Sequence, residues 1–175
     1  MKKSLIILLL LGSFFCVAQK NNCQIISIED KEKFRATIIK TFESEEYIES
    51  IRQFQDVKNG ILLLRFTEGN GISCFYIDID KMEGRRLDNL TNKKLNQEEK
   101  DSFYEQTQKI DTTNYLEDCP QYGHSSMYWM MVKKDNTLLG EYCVSNNLTK
   151  AKPSTDAGYA ALKTTFDWVV RLYYK

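Results

Sequence analysis

Two pairs of strand-forming segments, each joined by a short polar turn, constrain the fold of this chain most strongly. In the first pair, Ile61–Thr67 and Ile72–Ile79 flank Gly69-Asn70-Gly71, residues that accept the positive φ angles of a tight turn. The second pair is Met127–Val132 and Leu138–Val144. Runs rich in β-branched and aromatic residues on either side of a turn are typical of β-hairpins. The sequence therefore predicts two antiparallel hairpins.

The first strand of the second hairpin is apolar on both faces. Successive side chains of a strand point in opposite directions, so Trp129 shares one face with the methionines two residues away. Tyr128 shares the other face with Met130 and Val132. A strand with two apolar faces is typical of the centre of a sheet that is covered on both sides. This pattern indicates a central strand buried on both sides.

Four segments repeat apolar residues at helical spacing, and each follows a residue suited to begin a helix. These apolar repeats fall in the ranges 34–42, 47–54, 103–110 and 159–173. Residues 80–96 are polar and lack periodicity, which predicts an exposed connection. The predicted order is ααββαββα. The predicted fold class is α+β, with an antiparallel sheet built from the two β-hairpins and helices packed on one face.

The N-terminus has the pattern of a secretory signal peptide. A short cationic start precedes the unbroken apolar run Leu5–Leu11. Cys16 and Ala18 then supply the small side chains that signal peptidase requires before its cleavage point. The pattern predicts a signal peptide over residues 1–18.

A cleaved signal peptide predicts an exported protein that is periplasmic or secreted. The apolar run is too short to span a bilayer comfortably, so no stable membrane insertion is expected after cleavage. A lipoprotein with Cys16 as the lipidated residue is the less favoured alternative, because Phe14 and Phe15 are bulky where that signal needs small residues. Residues 19–175 contain no linker or repeat and are predicted to form a single globular domain.

The cysteines that remain after the predicted cleavage are Cys23, Cys74, Cys119 and Cys143. Four cysteines, an even number, in an exported chain predict two disulfides. The sequence contains no C-x-x-C or C-x-x-H motif, the spacing that would predict a metal site. The second hairpin brings Cys143 near the segment that follows Cys119. We therefore expect Cys119 to pair with Cys143 and Cys23 to pair with Cys74, with no metal and no cofactor bound.

The sequence lacks the common catalytic motifs: it has no phosphate-binding glycine loop, no H-E-x-x-H, no G-x-S-x-G and no dinucleotide-binding fingerprint. His124 is the only histidine and precedes Ser125 and Ser126. A hydrolase would therefore use His124 as its base and one of these serines as its nucleophile. Side chains adjacent in sequence rarely align for proton transfer, which favours a polar loop histidine without a catalytic role.

Aromatic residues gather around the second hairpin. The preceding loop, Gln121–Ser126, mixes tyrosine, glycine, histidine and serine. Such a composition suits recognition surfaces, because tyrosine contributes a large contact area at low rotamer entropy. The candidate binding residues are Tyr122, His124, Tyr128 and Trp129. Core packing is the alternative for the aromatic side chains, and it is favoured for Trp129.

The charge balance excludes one class of partner. With 24 basic and 24 acidic residues, the chain lacks the excess of positive charge that nucleic-acid binding requires. The sequence favours a small exported, disulfide-stabilised, non-enzymatic binding protein. Its partner would be another protein, such as a secreted enzyme or toxin that it neutralises as an inhibitor or immunity-type protein. The alternatives are an envelope hydrolase that uses His124 and a structural component of a surface assembly.

Overall fold

The computed structural model describes residues 23–42, 45–69, 71–86, 92–120, 125–145 and 154–174. The predicted signal peptide, including Cys16, lies outside these residues, and so do Tyr122 and His124. The strands are β1 (Gln24–Ile28), β2 (Gly60–Thr67), β3 (Gly71–Asp78), β4 (Glu83–Arg86), β5 (Asn92–Lys94), β6 (Asn114–Asp118), β7 (Ser126–Lys134) and β8 (Thr137–Val144). The helices are α1 (Lys31–Phe42), α2 (Glu45–Gln55), α3 (Gln97–Thr107) and α4 (Ala157–Tyr173).

The described strands form one mixed sheet in the order β1-β6-β8-β7-β2-β3-β4-β5. Both predicted hairpins are present, since β2 pairs with β3 and β7 pairs with β8 in antiparallel fashion. An antiparallel pairing of β2 with β7 joins the two hairpins. On the other side of the second hairpin, β6 lies beside β8 and runs parallel to it. The strand that is apolar on both faces, β7, therefore lies near the middle of the sheet.

Helices cover both faces of the sheet, and each face has its own apolar core. Phe34 of α1 and Phe54 of α2 pack with Trp129 on one side, which we call the α1 face. Phe103 of α3 and Leu162 of α4 pack on the other side, which we call the α4 face. Because side chains alternate along a strand, adjacent residues of β2 and β7 contribute to different cores.

The predicted α+β content is confirmed, but the predicted architecture is wrong in two respects. The helices lie on both faces rather than on one, and the sheet has eight strands rather than the four of two hairpins. The additional strands are β1, β4, β5 and β6, and two of them occupy the segment 80–96 that was predicted to be an exposed connection. The physical reason lies in the central strands, because apolar residues on both sides of β7 require a cover on both sides.

The starts of the helices agree with the sequence-based prediction better than the architecture does. The side chain of Asn96 accepts a hydrogen bond from the backbone N–H of Glu99, and the Glu99 carboxylate accepts one in return from the backbone of Asn96. Asp156 caps α4 by accepting from the N–H of Tyr159 at 2.9 Å. At α1, Asp30 is the capping side chain. The residues before it form β1 instead of helix.

One disulfide is present among the described cysteines, and its pairing differs from both predicted pairs. Cys23 is bonded to Cys119, whereas Cys74 and Cys143 are buried and belong to no disulfide among the described residues. The bond follows from the pairing of β1 with β6, because the residue after Cys23 is the register partner of the residue before Cys119. Cys74 on β3 and Cys143 on β8 cannot pair with each other, because β2 and β7 lie between these two strands. Three strand spacings place the two cysteines about 14 Å apart.

Candidate functional site

A cluster of arginine, tyrosine and hydroxyl side chains lies on the α4 face, at the end of the sheet where β7 begins. The strand register places Arg65 between Ser73 on β3 and Tyr128 on β7. Two residues further along, Thr67 is the register partner of Ser126. The end of α4 contributes two rings, and β4 contributes a second arginine. We call this cluster the arginine–tyrosine site: Arg65, Thr67, Ser73, Arg86, Ser126, Tyr128, Tyr173 and Tyr174.

The guanidinium of Arg65 is surrounded by neutral groups. Its Nε donates to the Ser126 hydroxyl at 3.1 Å. Its Cζ lies 6.0 Å from the centroid of the Tyr128 ring and 5.9 Å from that of Tyr174, which is within the range of cation–π attraction. Within the described ranges, no carboxylate forms an ion pair with Arg65. This arginine is therefore held by hydroxyls and rings.

Hydroxyl groups form pairs around this guanidinium. The Thr67 and Ser126 hydroxyls are 2.8 Å apart, and those of Tyr128 and Tyr174 are 2.7 Å apart. Burial, together with the hydrogen bond to Tyr174, raises the pKa of Tyr128, so its hydroxyl stays protonated at neutral pH. In each pair one hydroxyl donates to the other, and the second keeps its proton for a further acceptor. The site therefore combines the positive charges of Arg65 and Arg86 with hydroxyl donors.

The outer part of the site consists of Arg86 and the last two tyrosines. The Arg86 Cζ lies 4.5 Å from the centroid of the Tyr173 ring, and its Nη2 donates to the Tyr173 hydroxyl at 3.3 Å. The Tyr173 and Tyr174 rings meet edge to face, with centroids 4.8 Å apart. Tyr174 is 58% exposed. An exposed aromatic ring thus borders the Arg65 guanidinium.

The structure separates the predicted binding residues. Tyr128 lies in the arginine–tyrosine site, but Trp129 points to the α1 face, where it is fully buried and stacks on Tyr47 with centroids 5.4 Å apart. Tyr122 and His124 lie outside the described residues, in the part of the sequence between β6 and β7. Their predicted role in binding stays a prediction. The position of Trp129 is that of a core side chain.

The sequence did not identify Arg65, Arg86, Tyr173 and Tyr174 as members of a site. One signal was available, because Arg65 interrupts an otherwise apolar strand on the face that carries Leu63. The contribution of α4 had no such signal. Ser73 and Tyr173 are 100 residues apart in sequence, and only the folded chain brings their hydroxyls to 3.1 Å.

Two glutamates are buried in the same half of the sheet, and each has its own set of partners. On the α1 face, Glu141 forms an ion pair with Arg35 at 2.8 Å and accepts from the Trp129 indole at 2.8 Å. Burial raises the pKa of Glu141, and the attraction of Arg35 opposes that shift. The carboxylate is thus desolvated but compensated by a cation and an N–H donor.

On the α4 face, Glu117 is held by hydroxyl groups. Its carboxylate accepts hydrogen bonds from the hydroxyls of Tyr142 and Tyr159. Burial raises the pKa of both tyrosines and the nearby carboxylate raises it further, so both remain donors. One Glu117 oxygen and the sulfurs of Cys23 and Cys119 lie within 4.8 Å of one another. Because the two sulfurs are bonded to each other, this group offers one carboxylate rather than a set of metal ligands.

A cavity of about 330 Å³ lies between α3 and α4. Alanines and the aliphatic parts of polar side chains form most of its wall, which leaves few polar groups to orient a ligand. Its lining residues are Gln106, Lys109, Ala157, Ala160, Ala161 and Thr164. The arrangement of donors favours the arginine–tyrosine site over this cavity as the place where a ligand is recognised.

Comparisons with protein families, with curated proteins and with solved structures found no match for this chain. Among the helices that the structure describes, none combines the length and the apolar character needed to cross a bilayer.

Proposed function

We propose that this chain is a small exported, non-enzymatic binding protein that recognises another protein through the arginine–tyrosine site. One observation carries the proposal: the exposed ring of Tyr174 borders a guanidinium that no carboxylate of the described chain neutralises. The partner in this proposal is a secreted enzyme or toxin that the protein neutralises.

The chemistry of the site supports recognition of a protein. Tyrosine and arginine are enriched among the residues that dominate binding energies, because each combines a large contact area with directional donors. The predicted recognition loop, Gln121–Ser126, ends in sequence at Ser126, which is a member of the site.

The hydrolase alternative has less support from the described geometry. Ser125 and Ser126, its candidate nucleophiles, are both buried. The Ser126 hydroxyl accepts a hydrogen bond from Arg65, a group that does not release or accept protons near neutral pH. These contacts favour a structural role of Ser126 in the site over nucleophilic attack.

Export is supported by the signal-peptide pattern and is compatible with the disulfide. A bond between Cys23 and Cys119 persists in an oxidising compartment, which the periplasm or the extracellular space provides. Mass spectrometry of the exported chain should find Gln19 as its first residue. Retention of residues 1–18, or a lipid on Cys16, would contradict a soluble exported form.

The binding proposal can be tested by affinity capture from the exported fraction of the native cells. The wild-type protein, a Tyr174→Ala variant and an Ile48→Ala variant serve as baits, and captured proteins are then purified and titrated. Ile48 is a matched control because it is 65% exposed and lies on α2, away from the site. We expect Tyr174→Ala to weaken binding by about 1–3 kcal/mol, the range of an aromatic anchor.

The control decides between surface-specific and general binding. Equal affinity of the Tyr174→Ala and Ile48→Ala variants for every purified candidate would contradict recognition through this site. A hydrolytic activity of the wild-type protein that disappears in His124→Ala would instead establish the enzyme alternative.

A further inference from the structure

We propose that the arginine–tyrosine site binds the carboxylates of an acidic segment of the partner protein, and that Arg65 pairs with the first of them. The inference rests on the proposed function, which supplies a protein partner, and it adds the chemistry by which that partner is recognised. It follows from the surroundings of Arg65, from the hydroxyls beside it and from the exposure of Tyr174.

Arg65 differs from the two arginines that form ion pairs among the described residues. Arg35 and Arg52 each contact a glutamate, Glu141 and Glu49 respectively. Arg65 uses its Nε on the neutral Ser126 hydroxyl, and no described carboxylate pairs with it. A guanidinium carries five N–H donors in a planar fork that matches the two oxygens of a carboxylate. The site therefore holds a positive charge whose natural counterpart is absent from the described chain.

The neighbours of Arg65 can complete the coordination of such an anion. Ser73 is its register partner on β3, and Thr67 lies two residues further along β2. Both side chains are half-buried and carry hydroxyls that can donate to a carboxylate, whereas Ser126 and Tyr128 are buried beneath them. The charge and the donors thus converge on one end of the sheet.

The exposure of Tyr174 favours a polypeptide over a free anion. A ring that is 58% exposed next to a guanidinium offers contact area to side chains and backbone, which a small inorganic ion cannot use. Arg86 stacks on Tyr173 and donates to its hydroxyl, and its positive charge adds to that of Arg65 at the outer edge of the site. Each guanidinium presents a planar fork that matches the two oxygens of a carboxylate.

The test uses the exported protein and three probes: capped hexaglutamate, capped hexaglutamine and inorganic phosphate. Binding is followed by isothermal titration and by the chemical shifts of the Arg65 side chain. We expect hexaglutamate to bind and hexaglutamine not to bind. Replacing Arg65→Met should weaken hexaglutamate binding about tenfold or more, the effect of losing a charge-assisted pair of hydrogen bonds.

Two further variants keep the result interpretable. Arg52→Met removes an exposed arginine that lies on α2, and it should leave hexaglutamate binding within about twofold of wild type. Arg65→Lys keeps the charge but loses the fork, so it should weaken binding even if Arg65→Met fails to fold. Equal binding by the wild type, Arg65→Met and Arg65→Lys would overturn the proposal. Phosphate that binds at Arg65 more tightly than hexaglutamate would also overturn it.

The outcome is distinct from that of the capture experiment. Arg65-dependent hexaglutamate binding without any captured partner would contradict the proposed function while supporting a carboxylate site. A captured partner whose affinity depends on Tyr174 but is unchanged in Arg65→Met and Arg65→Lys would support the proposed function and overturn the carboxylate inference.

Discussion

Two arginines on opposite faces of the sheet show how the same side chain serves different purposes. On the α1 face, Arg35 donates its Nε to the buried carboxylate of Glu141 at 2.9 Å. On the α4 face, Arg65 donates its Nε to the hydroxyl of Ser126 and lies between two tyrosine rings. Among the described residues, a carboxylate pairs with the first charge and none pairs with the second. This difference supports a stabilising role for Arg35 and our proposal that Arg65 binds a ligand.

Removing Arg35 should produce the largest effect on stability. Arg35→Met leaves the fully buried Glu141 without its cation, and an uncompensated buried charge commonly costs 3–5 kcal/mol. Because the Arg35 side chain is itself 41% exposed, we expect a loss of about 2–3 kcal/mol in the free energy of unfolding. Urea denaturation of Arg35→Met and of the surface control Arg52→Met would measure it. Similar losses in both variants would contradict a special role for Arg35.

The next effect concerns Glu117, a buried carboxylate that accepts hydrogen bonds from two tyrosine hydroxyls. Tyr159→Phe removes one of its two donors, and we expect a loss of about 1–2 kcal/mol in the free energy of unfolding. Tyr104→Phe is the matched control, since the structure shows no hydrogen bond from the Tyr104 hydroxyl within the described residues. A difference of a few tenths of a kcal/mol or less between the two variants would show that Tyr142 alone satisfies Glu117.

Removing Arg65 should change stability little, in contrast to Arg35. Arg65→Met deletes a hydrogen bond to a hydroxyl and two contacts with rings, but it leaves no buried charge unpaired. The expected loss is about 1 kcal/mol or less, measured by the same denaturation experiment. A loss of stability as large as that of Arg35→Met would show that Arg65 also stabilises the fold, and it would contradict the difference between the two arginines.

The smallest effect is a dependence of stability on pH. Burial raises the folded-state pKa of Glu141 above its ordinary value of 4.5, with Arg35 opposing the shift. Between these two pKa values the folded protein binds the proton that the unfolded chain has lost, so stability falls as pH rises through that interval. We therefore expect the wild type to gain stability relative to Glu141→Gln as pH is lowered from 7 towards 4.5. If the difference in the free energy of unfolding between the wild type and Glu141→Gln is constant over this pH range, the raised pKa of Glu141 would be contradicted.

The sequence predicted the elements that carry strong local signals. The turn residues Gly69 and Gly71, both with positive φ, set the first hairpin, and the Asn96 capping box sets the start of α3. The two apolar faces of β7 already contradicted a sheet with helices on one face only, because buried strands need cover on both sides. Local signals were therefore sufficient to predict the hairpins and helices. The predicted architecture was wrong because it placed helices on one face although both faces of β7 are apolar.

The other strands are formed by their partners more than by their own residues. In β1, only Ile25 and Ile28 are partly buried, and β5 is a short polar edge strand. Such segments have little periodicity, since their hydrogen bonds depend on the neighbouring strand. The Cys23–Cys119 bond depends on the pairing of β1 with β6. Because β1 was not predicted from the sequence, this bond could not be predicted either. The same reason applies to the arginine–tyrosine site, which is assembled from four strands and the end of α4.

The sheet order has a consequence for the folding of the chain. The disulfide closes a loop whose ends are 96 residues apart and that contains β1 to β6, yet β7 and β8 lie between β6 and β2. The centre of the sheet is thus built from the last strands to be synthesised, and the earlier segments cannot join into one sheet before these strands arrive. A chain that ends before β7 leaves the edges of β2 and β6 unpaired, and unpaired edges promote aggregation. The sheet therefore becomes continuous only with the second hairpin, which also supplies Ser126 and Tyr128 to the arginine–tyrosine site.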